Sequence, residues 1–441
     1  MKIAVIGTGY VGLTTGVCLA NRGHDVLCVD IDADKVAVLR DGQCPILEAG
    51  LEPMMRRNLR LGRLHFDASL SAVAEYSDLV FVAVGTPEGK DGEPDLTYVR
   101  QAVCDIALAA APDSVVVIKS TVPPTALIPL ERELHAADPS KTLHFAVNPE
   151  FLRQGRSVAD TLHPERIVIG VTGSEAQRRL MDLYAPFAVP LVVTDPVSAM
   201  TIKYVANCFL ATKISFVNEV ANLCERLGAD VDAVTHGMGL DSRIGSKFLE
   251  PGIGFGGSCF PKDTVGLVHV ARTVGYDFQV LASAVAVNKE QYRVVIDRLI
   301  TGLGSLQGRV IGVLGLAFKG GTDDTRETRS FPIIRDLLSA GAVVRSYDSS
   351  IVHARLPGEV AATQQNSVEV CLAGADAVVV ANDAQEWATL DWVAVARAMK
   401  GTLVVDGRNT LDAELVTEAG LVYWGVGRAH ARGLSAEEPT P

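Results

Sequence analysis

KIAVIGTGYVG, residues 2–12, decides how the rest of this chain is read. KIAVIG is β-branched and apolar on both faces, which predicts a strand buried inside a sheet. GTGYVG fits GxGxxG and runs into LTTGVCLANRG, a helix-like stretch. In that pattern Gly7 permits the tight turn, Gly9 lets backbone approach a pyrophosphate, and Gly12 lets helix and strand pack closely. Tyr10 and Val11 complete the loop, and the phosphates meet the helix N-terminus. The following strand, DVLCVD (25–30), closes on Asp30. A carboxylate there accepts hydrogen bonds from an adenosine ribose and repels a 2′-phosphate, so NAD is the expected cofactor rather than NADP. A lone glycine motif is as easily an ordinary turn. Strand, register, helix and acidic residue together favour the dinucleotide.

Beyond this unit, β-rich runs alternate with helical stretches. DLVFVAVG (78–85), SVVVIKST (114–121) and LHFAVNPE (143–150) read as further buried parallel strands, the doubly wound α/β pattern. From about Ser198 the texture changes. Residues 199–228 contain no proline and no glycine before Gly228, and apolar residues recur at helical spacing. One long helix with a glycine stop is expected. More helix runs to about residue 305, interrupted by GIGFGGSCFPKD (252–263). A second α/β unit then begins with RVIGVLGLAF (309–318), a helix over 331–341 and AVVRSYD (342–348), followed by ADAVVVAND (375–383) and GTLVVDGRN (401–409). Its order mirrors the first half, VVRSYDS standing where VLCVDID stood. The expected fold class is α/β: two Rossmann-like doubly wound parallel-sheet domains joined by a helical middle domain with a long central helix. The expected boundaries are 1–195, 196–300 and 301–430, with a polar tail over 431–441.

At 441 residues the chain is too long for a single core. Its net charge of −12 argues against general nucleic-acid binding, which needs a basic surface, though not against an anionic small ligand. The opening residues have no signal-peptide pattern, and no run of about 18 apolar residues is present to span a membrane. Eight scattered cysteines without a CxxC pair suit neither a disulfide framework nor zinc. A cytoplasmic protein without nucleic-acid or membrane partners is expected, with no metal site and a homodimer formed through the central helix.

Several polar residues stand out against this frame. Lys203 and Asn207 lie four apart in the long helix, so they share a face amid apolar neighbours. A solvated helix edge is the plainer reading. Cys259 sits in GFGGSCFPKD (254–263), where open backbone and the nearby Lys262 favour a thiolate, and Asp263 could act as a base or orient water. A structural cysteine or a hinge competes with that. LAFKGGTDDTRE (316–327) places Lys319 and Arg326 in a loop at a strand end, suited to an anion or simply solvated. NPEFLRQG (148–155) puts Glu150 at the carboxyl edge of the first sheet, where a strand-end turn is the alternative.

Taken in order, GTGYVG, VGTP (84–87), KSTVPPT (119–125), NPEFLRQG, the KYVAN helix, RIGSKFLEPGIGFGGSCFPKD (243–263) and LAFKGGTDDTRE resemble the UDP-glucose/GDP-mannose dehydrogenases over nearly the whole chain. HPERIVIG (163–170) and SCFPKD resemble the family's UDP-glucose branch, and Ser258 stands where the N-acetyl-hexosamine branch typically has histidine. The resemblance implies NAD-dependent, four-electron oxidation of UDP-glucose at carbon 6 to UDP-glucuronate, with GDP-mannose or another nucleotide sugar as the alternative. Cys259 would add to the aldehyde, Lys203 and Asn207 would stabilise the oxyanion, and Asp263, Thr121 and Glu150 would handle proton transfer and hydrolysis. Lys35, Thr86, Thr121, Glu150, Lys262 and Arg326 would join the glycine loop and Asp30 at the cofactor. Glu150, Phe151, Leu152, Arg153, Lys203, Asn207, Phe248, Leu249, Glu250, Pro251, Gly252, Gly256 and Lys319 would contact the UDP-sugar, bound chiefly by the third domain. The arginine matching Arg243 would reach a neighbouring subunit's substrate. Gln154 departs from the family's FLxEG, removing a carboxylate and leaving proton handling to Glu150. A two-electron hydroxyacid dehydrogenase would not need Cys259, and an NAD-binding regulatory protein would need none of these side chains.

Overall fold

The computed structural model describes residues 1–87, 89, 92–351 and 356–428; the expected tail over 431–441 lies outside them. The chain forms two compact units, Met1–Ala206 with Val265–Asp277, and Asn207–Thr264 with the described residues from Phe278 onward.

The first unit is built on β1 (Lys2–Ile6), β2 (Asp25–Val29), β3 (Leu64–Asp67), β4 (Leu79–Val82), β5 (Val115–Ile118), β6 (His144–Val147), β7 (Ile167–Val171) and β8 (Leu191–Thr194), in the order β3-β2-β1-β4-β5-β6-β7-β8. The five expected strands are all present and mutually parallel where they pair. β1 lies between β2 and β4, with Ile3 opposite Val26 on one side and Leu79 on the other. Strand order reverses there, and the crevice beyond the carboxyl ends at such a switch point is where ligands bind in open α/β sheets. Three further strands complete the sheet, and β7 pairs antiparallel to β6. The β-branched runs work because both sheet faces are covered: every residue of β4 and β5 is buried.

The second unit carries β9 (Val310–Leu314), β10 (Val343–Tyr347), β11 (Ala377–Val380), β12 (Leu403–Asp406) and β13 (Val422–Gly425), in the order β10-β9-β11-β12-β13 and parallel throughout. Its strands feed two cores by strict alternation. Ile311, Val313, Ala377 and Val379 enter one apolar cluster, and Leu314, Val378 and Val380 enter the other. The mirror seen in the sequence reappears as geometry. Gly7 and Gly315 both have left-handed backbone, φ +94° and +97°. Gly7 N–H donates to Val29 O at 2.7 Å, and Gly315 N–H to Tyr347 O at 2.9 Å. Asp30 accepts from Thr8 N at 2.8 Å, and Asp348 from Leu316 N and Ala317 N at 2.7 and 2.9 Å.

The long helix is Pro196–Leu227, 32 residues, or about 48 Å at 1.5 Å per residue. It starts three residues before the expected span because Pro196 is preset for a first helical turn and Asp195 caps it, accepting from Ser198 N at 2.9 Å. Gly228, with φ +72°, follows its end. A second helix, Phe260–Thr273, begins directly after Cys259.

Candidate active site

The glycine loop has the form a dinucleotide needs. A Cβ on Gly12 would sit 1.9 Å from Gly7 O, and one on Gly7 would sit 2.7 Å from Ala83 O, so packing alone demands both glycines. A Cβ on Gly9 would meet nothing within 4 Å, leaving that face open for a ligand's approach. Gly9 also caps the helix Tyr10–Asn21 without a side-chain hydrogen bond, so no capping side chain occupies its first amides. Asp30 Oδ2 accepts from Thr8 N at 2.8 Å, Thr8 Oγ1 at 2.6 Å and Lys35 Nζ at 2.9 Å. Burial alone would raise this carboxyl, but the hydrogen bonds from Lys35 and Thr8 outweigh it and hold it at about 2. Ile31, the next residue, is 97% exposed, an apolar face beside the ribose carboxylate. Val11 and Thr86 are half-buried, Thr86 in the loop after β4. These residues fit NAD.

Tyr10 adds a link absent from the sequence reading. Its hydroxyl donates to Glu48, and Gly155 N–H donates to Glu48 Oε2 and to Tyr10 Oη, each at 2.8 Å. Glu48 therefore ties the start of the cofactor helix to the end of NPEFLRQG. Only its acidity marked it in PILEAGLEP, and nothing in local spacing brings residue 48 to residues 10 and 155.

The same unit holds a buried charge cluster after β5 and β6. Lys203 Nζ donates to Glu150 Oε1 at 3.1 Å, with side chains 2% and 7% exposed. Glu150 Oε2 accepts from Leu152 N at 2.5 Å. Burial pushes the Glu150 carboxyl up, yet Lys203's charge and these hydrogen bonds bring it below the ordinary value. Breaking such a buried pair from one side costs about 3–5 kcal/mol. Phe151 receives Lys203 Nζ at 5.6 Å and the Arg166 guanidinium at 3.9 Å from its ring centroid. Arg153 is exposed, its guanidinium paired with Asp160, and Thr121 is half-buried in the loop after β5.

In the second unit, Asn207 Nδ2 donates to Asp263 Oδ2 at 2.7 Å and Lys262 Nζ to Asp263 Oδ1 at 2.8 Å. Asp263, 1% exposed, lies one turn after Cys259, its N–H closing the first helical bond on Cys259 O at 2.8 Å. The half-buried Cys259 thus sits at a helix N-terminus, where the helix dipole favours a thiolate. Arg326 faces that sulfur electrostatically. Its guanidinium is held charged first by Asp324 and also by Cys259.

The glycines before Cys259 serve packing rather than openness. Residues 251–257 are buried. A Cβ on Gly256 would lie 2.3 Å from Glu327 O, and one on Gly257 2.7 Å from the Phe318 ring. Buried amides staple the loop. Asn218 Oδ1 accepts from Gly252 N at 2.8 Å, Gln291 Nε2 donates to Gly252 O at 3.0 Å, and Asn288 bonds both N–H and C=O of Phe255 at 2.7 and 3.1 Å. Phe248 adopts φ +64°, strain of roughly 1–3 kcal/mol for such a residue, and packs 6.3 Å from Phe260, itself 5.9 Å edge-on to Phe255. Leu249 and Pro251 are buried beside it, and Glu250 is exposed.

Lys319 is half-buried, its ammonium 5.5 Å from the Phe318 ring. Arg243 is 87% exposed and paired with Asp241 rather than with the residues above. Arg408, at the carboxyl end of β12, was missed by the sequence reading. Its Nη1 lies 3.2 Å from the Cβ position of Gly252. Burial lowers its pKa, with Asp383 opposing and Arg329 adding to the effect. The signal was present in DGRN at a strand end, the position already weighed for Lys319.

Comparison with known proteins matches residues 1–188 to the UDP-glucose/GDP-mannose dehydrogenase family, NAD binding domain. Its central domain matches 197–290, and its UDP binding domain 312–413. The chain belongs to the UDP-glucose/GDP-mannose dehydrogenase family. Within the family it is 44% identical to the UDP-glucose 6-dehydrogenase YwqF of Bacillus subtilis over 97% of this chain and 98% of that one. It is 42% identical to the UDP-glucose 6-dehydrogenase of Rhizobium meliloti over 97% and 100%. Among solved structures it resembles a UDP-glucose dehydrogenase from Pyrobaculum islandicum, with TM-score 0.88, 38% identity and coverage of 94% and 95%.

Proposed function

We propose that this chain is an NAD-dependent dehydrogenase that oxidises UDP-glucose twice at carbon 6, giving UDP-glucuronate and two NADH. The observation that carries the cysteine route is Cys259 at a helix N-terminus one turn from Asp263, with Asn207 bonded to that aspartate. Oxidising an alcohol needs only a base and a hydride acceptor. Oxidising an aldehyde first needs a nucleophile to add. NAD, when bound, supplies the hydride acceptor for both oxidations.

The residues divide the remaining work. Glu150, held ionised by Lys203, and Thr121 manage the water and protons at carbon 6. The Cys259 sulfur adds to the aldehyde carbon; a C–S bond forms, the carbonyl π bond opens, and charge moves to oxygen. Lys203 and Asn207 steady that oxyanion as a cation and an amide donor. Hydride loss leaves a thioester. Water, oriented by Asp263 and Glu150, then adds, and the C–S bond breaks to return the thiolate. The segment 248–252 with Gly256 and Lys319 holds the UDP-sugar, and Arg408 beside Gly252 adds a cation suited to its diphosphate. Lys262 and Arg326 serve the cofactor side.

The domains act as 1–195 for NAD, 196–300 for catalytic residues and dimerisation, and 301–430 for the UDP-sugar. A homodimer is supported by Phe209, Phe216 and Leu223, spaced seven apart on the long helix and 64%, 54% and 54% exposed. In that dimer Arg243 reaches the partner's substrate. A cytoplasmic setting agrees with eight cysteines none of which is in a disulfide. Among the described residues no helix is long and apolar enough to cross a membrane.

GDP-mannose is the weaker reading, since relatives 44% and 42% identical over nearly the whole chain are UDP-glucose 6-dehydrogenases. Turnover on a panel of UDP- and GDP-sugars, followed as NADH, tests the choice. Activity with UDP-glucose is expected; none with it, and activity with GDP-mannose, would overturn the assignment.

A further inference from the structure

Beneath the Glu150–Lys203 pair lies a second buried ammonium to which the reaction above gives no task. Lys119, 8% exposed, follows β5. Its Nζ donates to Asn148 Oδ1 at 2.9 Å and lies 3.4 Å from Asn148 O. Asn148 is held from two more sides: Tyr184 Oη donates to its Oδ1 at 2.6 Å, and its Nδ2 donates to Val168 O at 2.8 Å. Only Pro149 separates this clamped residue from Glu150, so the clamp fixes where the carboxylate points.

We propose that Lys119 is a positioning residue for the proton chemistry of Glu150: it anchors the Asn148 turn that presents the carboxylate and supplies a second buried cation facing it. The inference rests on the role given to Glu150 above. Anchoring alone would not require a charge, because a neutral amide could donate to Asn148 Oδ1. Burying two ammonium groups around one carboxylate is costly, and such arrangements collect at functional sites. The groups facing Lys119 are few: Glu150 from the loop after β6, Lys203 from the long helix, the Tyr184 hydroxyl from the helix Ser174–Tyr184, and the Phe81 ring of β4 at 6.0 Å. Burial pushes Lys119 down to about 8, with Glu150 opposing and Lys203 reinforcing the shift. Conversely, Lys119 is among the charges that hold Glu150 ionised.

Two variants test this, Lys119→Met and Lys119→Gln, the second retaining a donor for Asn148. Each removes a cation that favours ionised Glu150, so Glu150 protonates at higher pH. The acidic limb of the kcat–pH profile on UDP-glucose is expected to move up by about half a unit or more in both. In Lys119→Met, kcat at pH 7 falls about tenfold, with KM for UDP-glucose within about twofold. Less kcat is lost in Lys119→Gln. An unmoved acidic limb in both variants overturns the proposal, as does a fall in kcat that tracks a fall in Tm while the limb stays in place. Wild-type turnover of UDP-glucose decides the underlying reading separately, because the limb shift is a difference between active enzymes.

Discussion

Cys259 and Lys119 make opposite demands on their surroundings, one for a charge that reacts and one for a charge that only directs. Cys259→Ser leaves an oxygen that is far less nucleophilic at the same helix N-terminus, so kcat is expected to fall by at least about a thousandfold. Stopped-flow NADH absorbance measures this, and retention of full activity would remove the thioester route. For Lys119 the folded pKa, about 8, lies below the ordinary lysine value. The unfolded chain therefore binds more protons between those values, and wild-type stability rises with pH across that window. Lys119→Met lacks this contribution. Thermal melts should show the Tm of Lys119→Met, relative to wild type, dropping between about pH 8 and pH 10 as wild type gains stability; a difference that does not change with pH would mean that folding leaves the Lys119 pKa unshifted. Candidate residues were legible where they sat in a motif: Glu150, Lys203, Asn207, Cys259 and Asp263 were named from sequence, and the structure pairs Glu150 with Lys203 and Asp263 with Asn207. Lys119 opens KSTVPPT and Glu48 lies in PILEAGLEP, but neither residue's role was legible, because it comes from contacts with residues 29 and 107 positions away.

Glycines act at the scale of elements. Gly12→Ala would drive a Cβ to 1.9 Å from Gly7 O, displacing the cofactor helix. KM for NAD is expected to rise at least about tenfold with loss of a few kcal/mol of stability; isothermal titration with NAD and a melt measure both, and wild-type affinity would contradict the reading. Gly257→Ala meets both the Phe318 ring at 2.7 Å and a φ of +82°, and should lower Tm and kcat together. The five expected strands of the first sheet announced themselves as apolar β-branched runs and were found where expected, whereas the interior strand β7 (IVIGV) was quoted only within a motif. β3 and β8 escaped notice because each is a four-residue edge strand with exposed or half-buried positions, so the period carries little signal. The glycine crowding before Cys259 was legible as a pattern, but its cause was not, since Phe318 and Glu327 press on it from another segment.

The two sheets, each within its own unit, and the long helix were readable from apolar runs and helical period, which are properties of the chain itself. Assembly is less so. The exposed stripe of Phe209, Phe216 and Leu223 predicts that Phe216→Glu shifts the protein from dimer to monomer in sedimentation velocity; an unchanged dimer would place the interface elsewhere. The most direct measurement of the whole account is NADH yield at limiting UDP-glucose with excess NAD. Two NADH for each UDP-glucose consumed are expected, with UDP-glucuronate as product. One NADH with an aldehyde released would contradict the account.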